Sequence, residues 1–212
     1  MYFKRKLFIT FSFLLFLFII SPSFAGSLNY QYDALNRLTR IGYPNGTIIE
    51  YAYDKVGNRL TKTFIVLNMS DQIIQSGTYT ANSFTIGPNV TIAGGAEVIF
   101  NAEQSISISS NILIDEYAQV TFRATSITAE DNFVIRNGAV VVFETSDQMT
   151  LGPNFIIRSG AAAIFEALGH MTLGPDFIVE SGSEALFRAG DSITILPEFT
   201  AEEGCTLEIT TL

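Results

Sequence analysis

The sequence has no tryptophan, one cysteine (Cys205) and one histidine (His170), and it has no lysine in residues 84–212. A single cysteine excludes an intramolecular disulfide, so the stability of the fold has to come from packing. One histidine without clustered cysteines supports neither a zinc site nor a histidine-based catalytic relay. The sequence also contains no phosphate-binding loop, nucleophile elbow or dinucleotide fingerprint. We therefore expect no cofactor.

The charge is acidic and unevenly distributed. The whole chain carries −9, whereas residues 84–212 contain 17 acidic residues against four arginines, a net charge of −13. Such a surface repels phosphate backbones, so we expect no nucleic-acid partner. Scattered acids fit a solvated face, and they specify neither the paired carboxylates of a glycosidase nor the converging oxygens of a Ca²⁺ site. We assign no catalytic and no metal-binding residue.

The N-terminus has the parts of a secretory signal peptide. Three basic residues at positions 4–6 precede an apolar-rich stretch at residues 7–20, and small residues lead to Ala25. The stretch is shorter than the roughly 20 residues needed to span a bilayer. We predict cleavage after Ala25 and export to the exterior or the cell envelope of a bacterium, with no stable membrane insertion afterwards. An uncleaved N-terminal anchor is the alternative.

Residues 30–60 contain an aromatic repeat with a turn between its two copies. Tyr30-Gln31-Tyr32-Asp33 recurs 21 residues later as Tyr51-Ala52-Tyr53-Asp54, and an Arg-Leu pair follows each copy. The Asn45-Gly46 dipeptide between them is a strong signal for a two-residue hairpin turn. The segment is predicted to form antiparallel β-hairpins. Its motif residues are Tyr30, Tyr32, Asp33, Arg37, Tyr51, Tyr53, Asp54, Gly57 and Arg59.

This segment resembles the YD (Rhs-type) repeat of bacterial surface and toxin-delivery proteins, in which such hairpins coil into a large β-shell. The resemblance implies hairpins and a surface location. It covers a short part of the chain, and a shell needs many more copies. The segment is therefore interpreted as a remnant or as an N-terminal cap on the repeats after it.

From residue 84 onward the sequence repeats every 21 or 22 residues. Apolar positions within each repeat are two apart, which is the strand period, and equivalent positions keep their chemistry from repeat to repeat. This combination predicts an all-β fold, a three-sided parallel β-helix (solenoid) of about six coils. The coils are taken to start at Phe84, Ile106, Ile127, Met149, Met171 and Ile193, and one inward ladder is predicted from Phe133, Phe155, Phe177 and Phe199.

Two further columns mark corners of the coil. One is rich in asparagine (Asn89, Asn111, Asn132, Asn154) and follows bends marked by proline. Asparagine there fits either a hydrogen-bonded side-chain ladder or a left-handed backbone. The other column is glycine except at Tyr117, which lies in the 21-residue coil, and we expect that coil to be locally distorted.

The predicted organisation is a signal peptide (residues 1–25), YD hairpins (26–62), a transition with a partial first coil (63–83) and the β-helix (84–212). The 22-residue repeat resembles a short β-helical repeat common in secreted bacterial proteins, which implies fold and export but little about activity.

Our hypothesis is a secreted or cell-surface module without catalytic activity of its own, serving as a rigid spacer or an adhesive element. Its expected partners are surface glycans or other extracellular proteins, and the open strand edge of the last coil is a candidate for self-association. One alternative is a carbohydrate-active β-helix protein that binds or cleaves polysaccharide. The other is a fragment of an Rhs-type toxin-delivery protein.

Overall fold

The computed structural model describes residues 27–211, so the predicted signal peptide lies outside the described residues. Within this range the chain is all β, and it contains no helix of the length and apolarity needed to cross a membrane. In chain order the strands are β1 (Asn29–Tyr32), β2 (Leu38–Gly42), β3 (Ile48–Tyr53), β4 (Arg59–Met69), β5 (Gln72–Ile74), β6 (Gly77–Ile86), β7 (Val90–Ile92), β8 (Glu97–Ile108), β9 (Ile112–Ile114), β10 (Gln119–Ala124), β11 (Ser126–Ala129), β12 (Phe133–Ile135), β13 (Val140–Thr145), β14 (Met149–Leu151), β15 (Phe155–Ile157), β16 (Ala162–Ala167), β17 (His170–Leu173), β18 (Ile178–Val179), β19 (Glu184–Ala189), β20 (Ser192–Ile195), β21 (Thr200–Ala201) and β22 (Thr206–Thr211).

The first four strands form an antiparallel meander, as the YD repeat predicts. The Asn45-Gly46 turn joins β2 to β3, and Gly46 has a left-handed φ of +88° that a side chain would strain. The long strand β4 belongs to two ladders. It runs antiparallel to β3 and, at its C-terminal end, parallel to β6. The hairpin segment is therefore continuous with the parallel strands beyond it.

The remaining strands stack in parallel on three faces, which confirms the predicted solenoid of about six turns. The long face comprises the first parts of β6 and β8 followed by β10, β13, β16, β19 and β22. The face we call the hydroxyl face comprises the last parts of β4, β6 and β8 followed by β11, β14, β17 and β20. The short face comprises β5, β7, β9, β12, β15, β18 and β21.

Stacking begins one coil before Phe84. The end of β4 pairs with the end of β6, β5 pairs with β7, and the start of β6 pairs with β8. Each of these three pairs adds one strand to one of the three faces, and we call each strand of a stack a rung. The segment before Phe84 thus joins the YD meander to the solenoid through continuous hydrogen-bonded ladders.

Two stacks of phenylalanine rings fill the core. Phe133, Phe155 and Phe177 lie with ring centroids 4.6 and 4.8 Å apart, and Phe199 follows Phe177 at 5.5 Å. The other stack has successive centroids 4.8 to 5.1 Å apart and consists of Phe100, Phe122, Phe143, Phe165 and Phe187. Rings of the two stacks meet edge to face, a favoured arrangement for aromatic pairs. The spacing along each stack reproduces the separation of neighbouring strands.

The asparagine-rich corner has a left-handed backbone in every coil. Its residues have φ between +55° and +68°, and they are Asn89, Asn111, Asn132, Asn154, Asp176 and Glu198. Asparagine tolerates this region better than most residues that carry a side chain. The Asn111 side chain donates to that of Asn89 at 3.2 Å, but Asn132 donates to Asp131 of its own coil. Backbone conformation accounts for this column better than a continuous side-chain ladder does.

Tyr117 takes its place in the glycine column without disturbing the ladders. Its φ is +61°, and β10 keeps its register with both neighbours, so the coil is regular at the position of Tyr117 itself. The tyrosine ring lies over Gly138, where an added Cβ would come within 2.4 Å of it. The coil of Tyr117 has 21 residues, whereas its neighbours have 22. It is one residue shorter at the next corner, between Phe122 and Ile127.

The variant Phe155→Ala should lose about 3–5 kcal/mol of unfolding free energy, because it removes a ring from the middle of a buried stack. The matched variant Phe199→Ala should lose distinctly less, since Phe199 is only partly buried in the last coil. Urea unfolding followed by far-ultraviolet circular dichroism measures both losses. Equal losses would contradict the difference in packing between the middle and the end of the solenoid.

Thr145 is buried between Ala124 and Ala167 of the neighbouring coils, and its hydroxyl oxygen has no hydrogen-bond partner within residues 27–211. Thr145→Val keeps the shape of the side chain and removes the unpaired group. We expect it to raise the unfolding free energy by about 1 kcal/mol. Thr128→Val at an exposed outward position is the control, and a destabilised Thr145→Val protein would contradict the expectation.

Candidate interaction surfaces

An aspartate closes the turn in each copy of the YD motif. Asp33 accepts hydrogen bonds from the backbone N–H groups of Leu35 and Arg37, and its Oδ2 lies 2.7 Å from Arg37 Nε. These bonds, that from the Arg37 backbone foremost, lower the pKa of Asp33. Asp54 accepts from the side chain and the backbone of Asn58, which lowers the pKa of Asp54 in the same way.

Arg37 also connects the two copies. Its Nη1 donates to the backbone oxygen of Asp54 at 3.0 Å, and its guanidinium carbon lies 4.9 Å from the centroid of the Tyr53 ring. The Tyr53 hydroxyl donates to the backbone oxygen of Leu38 at 2.8 Å. The motif residues Asp33, Arg37, Tyr53 and Asp54 therefore form one contiguous group that ties the first hairpin to the second.

The other motif residues lie apart from this group. Arg59 stacks over Tyr51, with its guanidinium carbon 5.5 Å from the ring centroid, and Gly57 takes the left-handed position of the second turn. Tyr30 and Tyr32 lie on β1 and are 47% and 59% exposed. The structure thus divides the motif into a connecting group, a separate contact at the second hairpin and an exposed first strand.

A cleft of about 500 Å³ lies where the hairpin segment meets the first coil, and we call it the junction cleft. Its wall includes Tyr43 and Asn45 of the β2–β3 turn, Lys62 of β4, and Asn68 and Gln72 of the first coil. A second cleft of about 480 Å³ shares Tyr43. A cation, amides and an aromatic ring around this shallow, open cleft, beside apolar residues such as Phe64, can hold a polar ligand by charge, hydrogen bonds and ring contact.

Asn68 has an unusual position in this wall. Its backbone N–H donates to Thr47 Oγ1 at 3.2 Å, but its side-chain oxygen is shielded from solvent and lacks a hydrogen-bond partner among the described residues. A buried polar atom without a partner is uncommon in folded proteins. The Asn68 side-chain oxygen makes no hydrogen bond in the described part of the fold. Rotating this side chain towards the cleft would therefore cost no hydrogen bond of the oxygen.

Charge also distinguishes the hairpin end. Residues 27–63 contain five basic and three acidic residues, whereas residues 84–212 carry −13. The junction cleft, with Lys62 in its wall, therefore belongs to the basic part of an acidic protein. A negatively charged ligand would be attracted to this end and repelled by the solenoid.

The four arginines of the solenoid each pair with a carboxylate of an adjacent coil. The pairs are Arg123–Glu144 and Arg188–Glu166 on the long face, and Arg136–Asp115 and Arg158–Glu180 beside the short face. The pKa of Arg123 is raised by its hydrogen bond with Glu144. The pKa of Asp115 is lowered, first by the backbone N–H of Glu116 and then by Arg136. The pairs are exposed or half-exposed, and each contributes little energy alone.

The remaining candidate residues are separate. His170 is exposed on β17, with Nδ1 3.0 Å from Ser192 Oγ and Nε2 3.6 Å from an Asp191 oxygen. Cys205 is partly buried against the core. A hydrogen bond with Asp176 raises the pKa of the exposed Glu198 carboxyl. Residues 27–211 contain no group of three potential metal ligands.

Comparison with known proteins finds a family match for one segment of the chain. The family model of the RHS repeat matches residues 28–63, which contain β1–β3, the first part of β4 and the YD motif. The searches of curated proteins and of solved structures return no match. The described chain is thus an RHS-repeat segment followed by a β-solenoid of about 22-residue turns.

Sequence reasoning missed the junction cleft. Its wall combines a turn, the strand β4 and the first coil, and their contact depends on how β4 is shared between two ladders. One signal was available in the sequence. Lys55 and Lys62, the lysines of the described chain, both lie in the hairpin segment.

Acid should loosen the YD hairpins through Asp33 and Asp54. Both carboxyls have lowered pKa values in the fold, so their ionised forms stabilise it above the ordinary aspartate pKa of about 3.9. That stabilisation is lost as the pH falls through the lowered values. Near-ultraviolet circular dichroism of tyrosine between pH 7 and pH 2 follows the change. Asp33→Asn should weaken the hairpins at pH 7 and shrink the acid transition.

Glu103→Gln, an exposed change in the solenoid, is the control for this titration. It should leave the acid transition of the tyrosine signal unchanged. A transition of full size in Asp33→Asn would contradict the role given to Asp33.

Proposed function

We propose that this protein is an exported structural and interaction module of an Rhs-type surface protein, without catalytic activity of its own. The RHS-repeat match indicates the surface-protein class. The proposal adds that the solenoid is a rigid support and that the hairpin end is its interaction site. The observation that carries it is the uninterrupted sheet from β1 to β22, which makes hairpins and support one body.

The outer surface of the solenoid supports the structural role. Its arginines pair with carboxylates of neighbouring coils, so they connect rungs along the axis. Two stacks of buried phenylalanine rings run along the same axis. Both features favour a stiff spacer that holds its two ends at a fixed separation.

Glycan binding at the junction cleft is the second candidate function. Tyr43 offers a ring for contact with a sugar face, and Asn45 and Gln72 offer amides for its hydroxyls. Lys62 offers a cation for a carboxylate. These groups favour a sugar that bears an acid, such as the uronic acid units of an acidic polysaccharide.

The chain without its first 25 residues should bind alginate or polygalacturonate and should not bind neutral dextran. Lys62→Gln should weaken that binding severalfold, because it removes the cation from the cleft wall. Lys55→Gln removes the same charge from a hairpin turn outside the cleft and is the matched control. Affinity electrophoresis in gels containing each polysaccharide measures the retardation.

Two outcomes would count against these proposals. Equal weakening in Lys55→Gln and Lys62→Gln would show that polysaccharide binding depends on net charge and not on the junction cleft. Release of new reducing ends from either polysaccharide would contradict the absence of catalytic activity and favour a carbohydrate-cleaving β-helix.

A further inference from the structure

The hydroxyl face presents two ranks of polar side chains that point away from the core. One rank has a hydroxyl in every coil and consists of Thr85, Ser107, Thr128, Thr150, Thr172 and Thr194. The other rank lies two residues before it and consists of Ser83, Ser105, Ser126, Gln148, His170 and Ser192. Strand pairing places each member of the first rank directly beside the next.

The spacing of this array is fixed by the backbone. Neighbouring strands are about 4.8 Å apart, and alternate residues of a strand about 6.7 Å apart. Five of the six members of the first rank are threonines, and a β-branched side chain has few χ1 rotamers. Methyl and hydroxyl groups therefore recur at one spacing along the first rank, and the second rank adds serine hydroxyls in four of its six coils. Behind them lies a core of buried side chains, including Ile127, Met149 and Met171.

The array is neutral, unlike the long face. Neither rank contains an acid, a lysine or an arginine, whereas the outward residues of the long face include the Arg123–Glu144 ion pair. It also contains no aromatic ring apart from the His170 imidazole. The hydroxyls of the first rank make no side-chain hydrogen bond to another described residue, so they are available to a ligand.

These features exclude several kinds of ligand. A charged polymer gains nothing from a neutral face, and a single sugar finds neither a cleft nor an aromatic platform. Exchanging a hydrogen bond to water for one to a dissolved ligand yields little net free energy. Affinity at such a face has to come from many rungs engaged at once. The ligand that fits is a neutral solid with a regular array of hydrogen-bonding groups.

We propose that the hydroxyl face binds ice. In ice the ligand is water itself, so the hydroxyls need not be dehydrated before they join the lattice. The separation of neighbouring rungs is close to that of next-nearest oxygens in ordinary ice, so several rungs meet lattice positions together. The threonine methyls limit the orientations of the water between them, which favours an ordered layer.

Ice partitioning tests this assignment on the chain without its first 25 residues. Ice is grown slowly on a cold surface, and the protein concentration is compared between ice and remaining liquid. The unchanged protein should be enriched in the ice. Thr128→Tyr and Thr150→Tyr should each be excluded from the ice, because a ring projecting from the centre of the array holds the flanking rungs away from the lattice.

Val142→Tyr is the matched control, since Val142 is an outward residue in the middle of the long face. It should enter ice like the unchanged protein. Urea midpoints of all variants establish that each is folded. Exclusion of the unchanged protein, or equal exclusion of Val142→Tyr, would overturn the proposal. Binding to crystalline cellulose without enrichment in ice would overturn it in favour of a neutral polysaccharide.

The Lys62→Gln variant separates this inference from the proposed function. Lys62 lies on the junction cleft and not in either rank, so its substitution should leave ice partitioning unchanged. Failure of the ice experiment would therefore leave the glycan proposal intact. Failure of the polysaccharide experiment would likewise leave the ice proposal intact.

Discussion

In-register stacking of the coils is the constraint on which the other features depend. Because each strand pairs with the equivalent strand of the next coil, any residue type that recurs in the sequence recurs at one strand spacing in space. Phenylalanine at an inward position becomes a continuous stack, and asparagine at a corner becomes a column of left-handed residues. Arginine one coil away from a carboxylate becomes an ion pair between rungs.

The same constraint determines what the surface can do. An outward residue that changes from coil to coil makes an irregular surface, as on the long face, where Val142, Ile164 and Leu186 are followed by Glu208. An outward residue that keeps its chemistry makes an array. The first rank of the hydroxyl face begins beside Asn68, which pairs with Thr85 and also lies in the wall of the junction cleft. One ladder thus connects the two candidate binding surfaces.

The sequence was sufficient for the fold because the signals are periodic. A two-residue apolar period inside a 22-residue repeat has few structural solutions, and the Asn-Gly turn between two Tyr-x-Tyr-Asp copies defines the hairpins. The coil before Phe84 was harder to recognise. Among its inward positions, Ile74 continues the later isoleucine column, whereas Met69 and Tyr79 stand where later coils have other residues. The inward position of Thr145 follows from its place in a column mostly filled by alanine, but its lack of a hydrogen-bond partner within residues 27–211 depends on the packing of the coils around it.

The binding surfaces were less predictable than the fold for two different reasons. The junction cleft brings together residues from 43 to 72 through a tertiary contact that no periodicity encodes. The hydroxyl ranks, by contrast, are readable as Ser-Phe-Thr, Ser-Ile-Ser and Ser-Ile-Thr at the coil starts. Sequence reasoning missed them because the apolar inward columns dominate the periodic signal. In a solenoid the same register specifies the outward columns, so a regular outward column predicts a regular surface.

Charge then divides the two surfaces between different ligands. The solenoid carries −13 and the hairpin segment an excess of basic residues, so an acidic polymer approaching the protein meets attraction at one end and repulsion along the rest. Screening over about 8 Å at physiological ionic strength confines both effects to the surface that bears them. A neutral solid lattice experiences neither effect. The two proposals are therefore compatible, because the acidic solenoid would direct an anionic ligand to the junction cleft and leave the neutral array free for a ligand without charge.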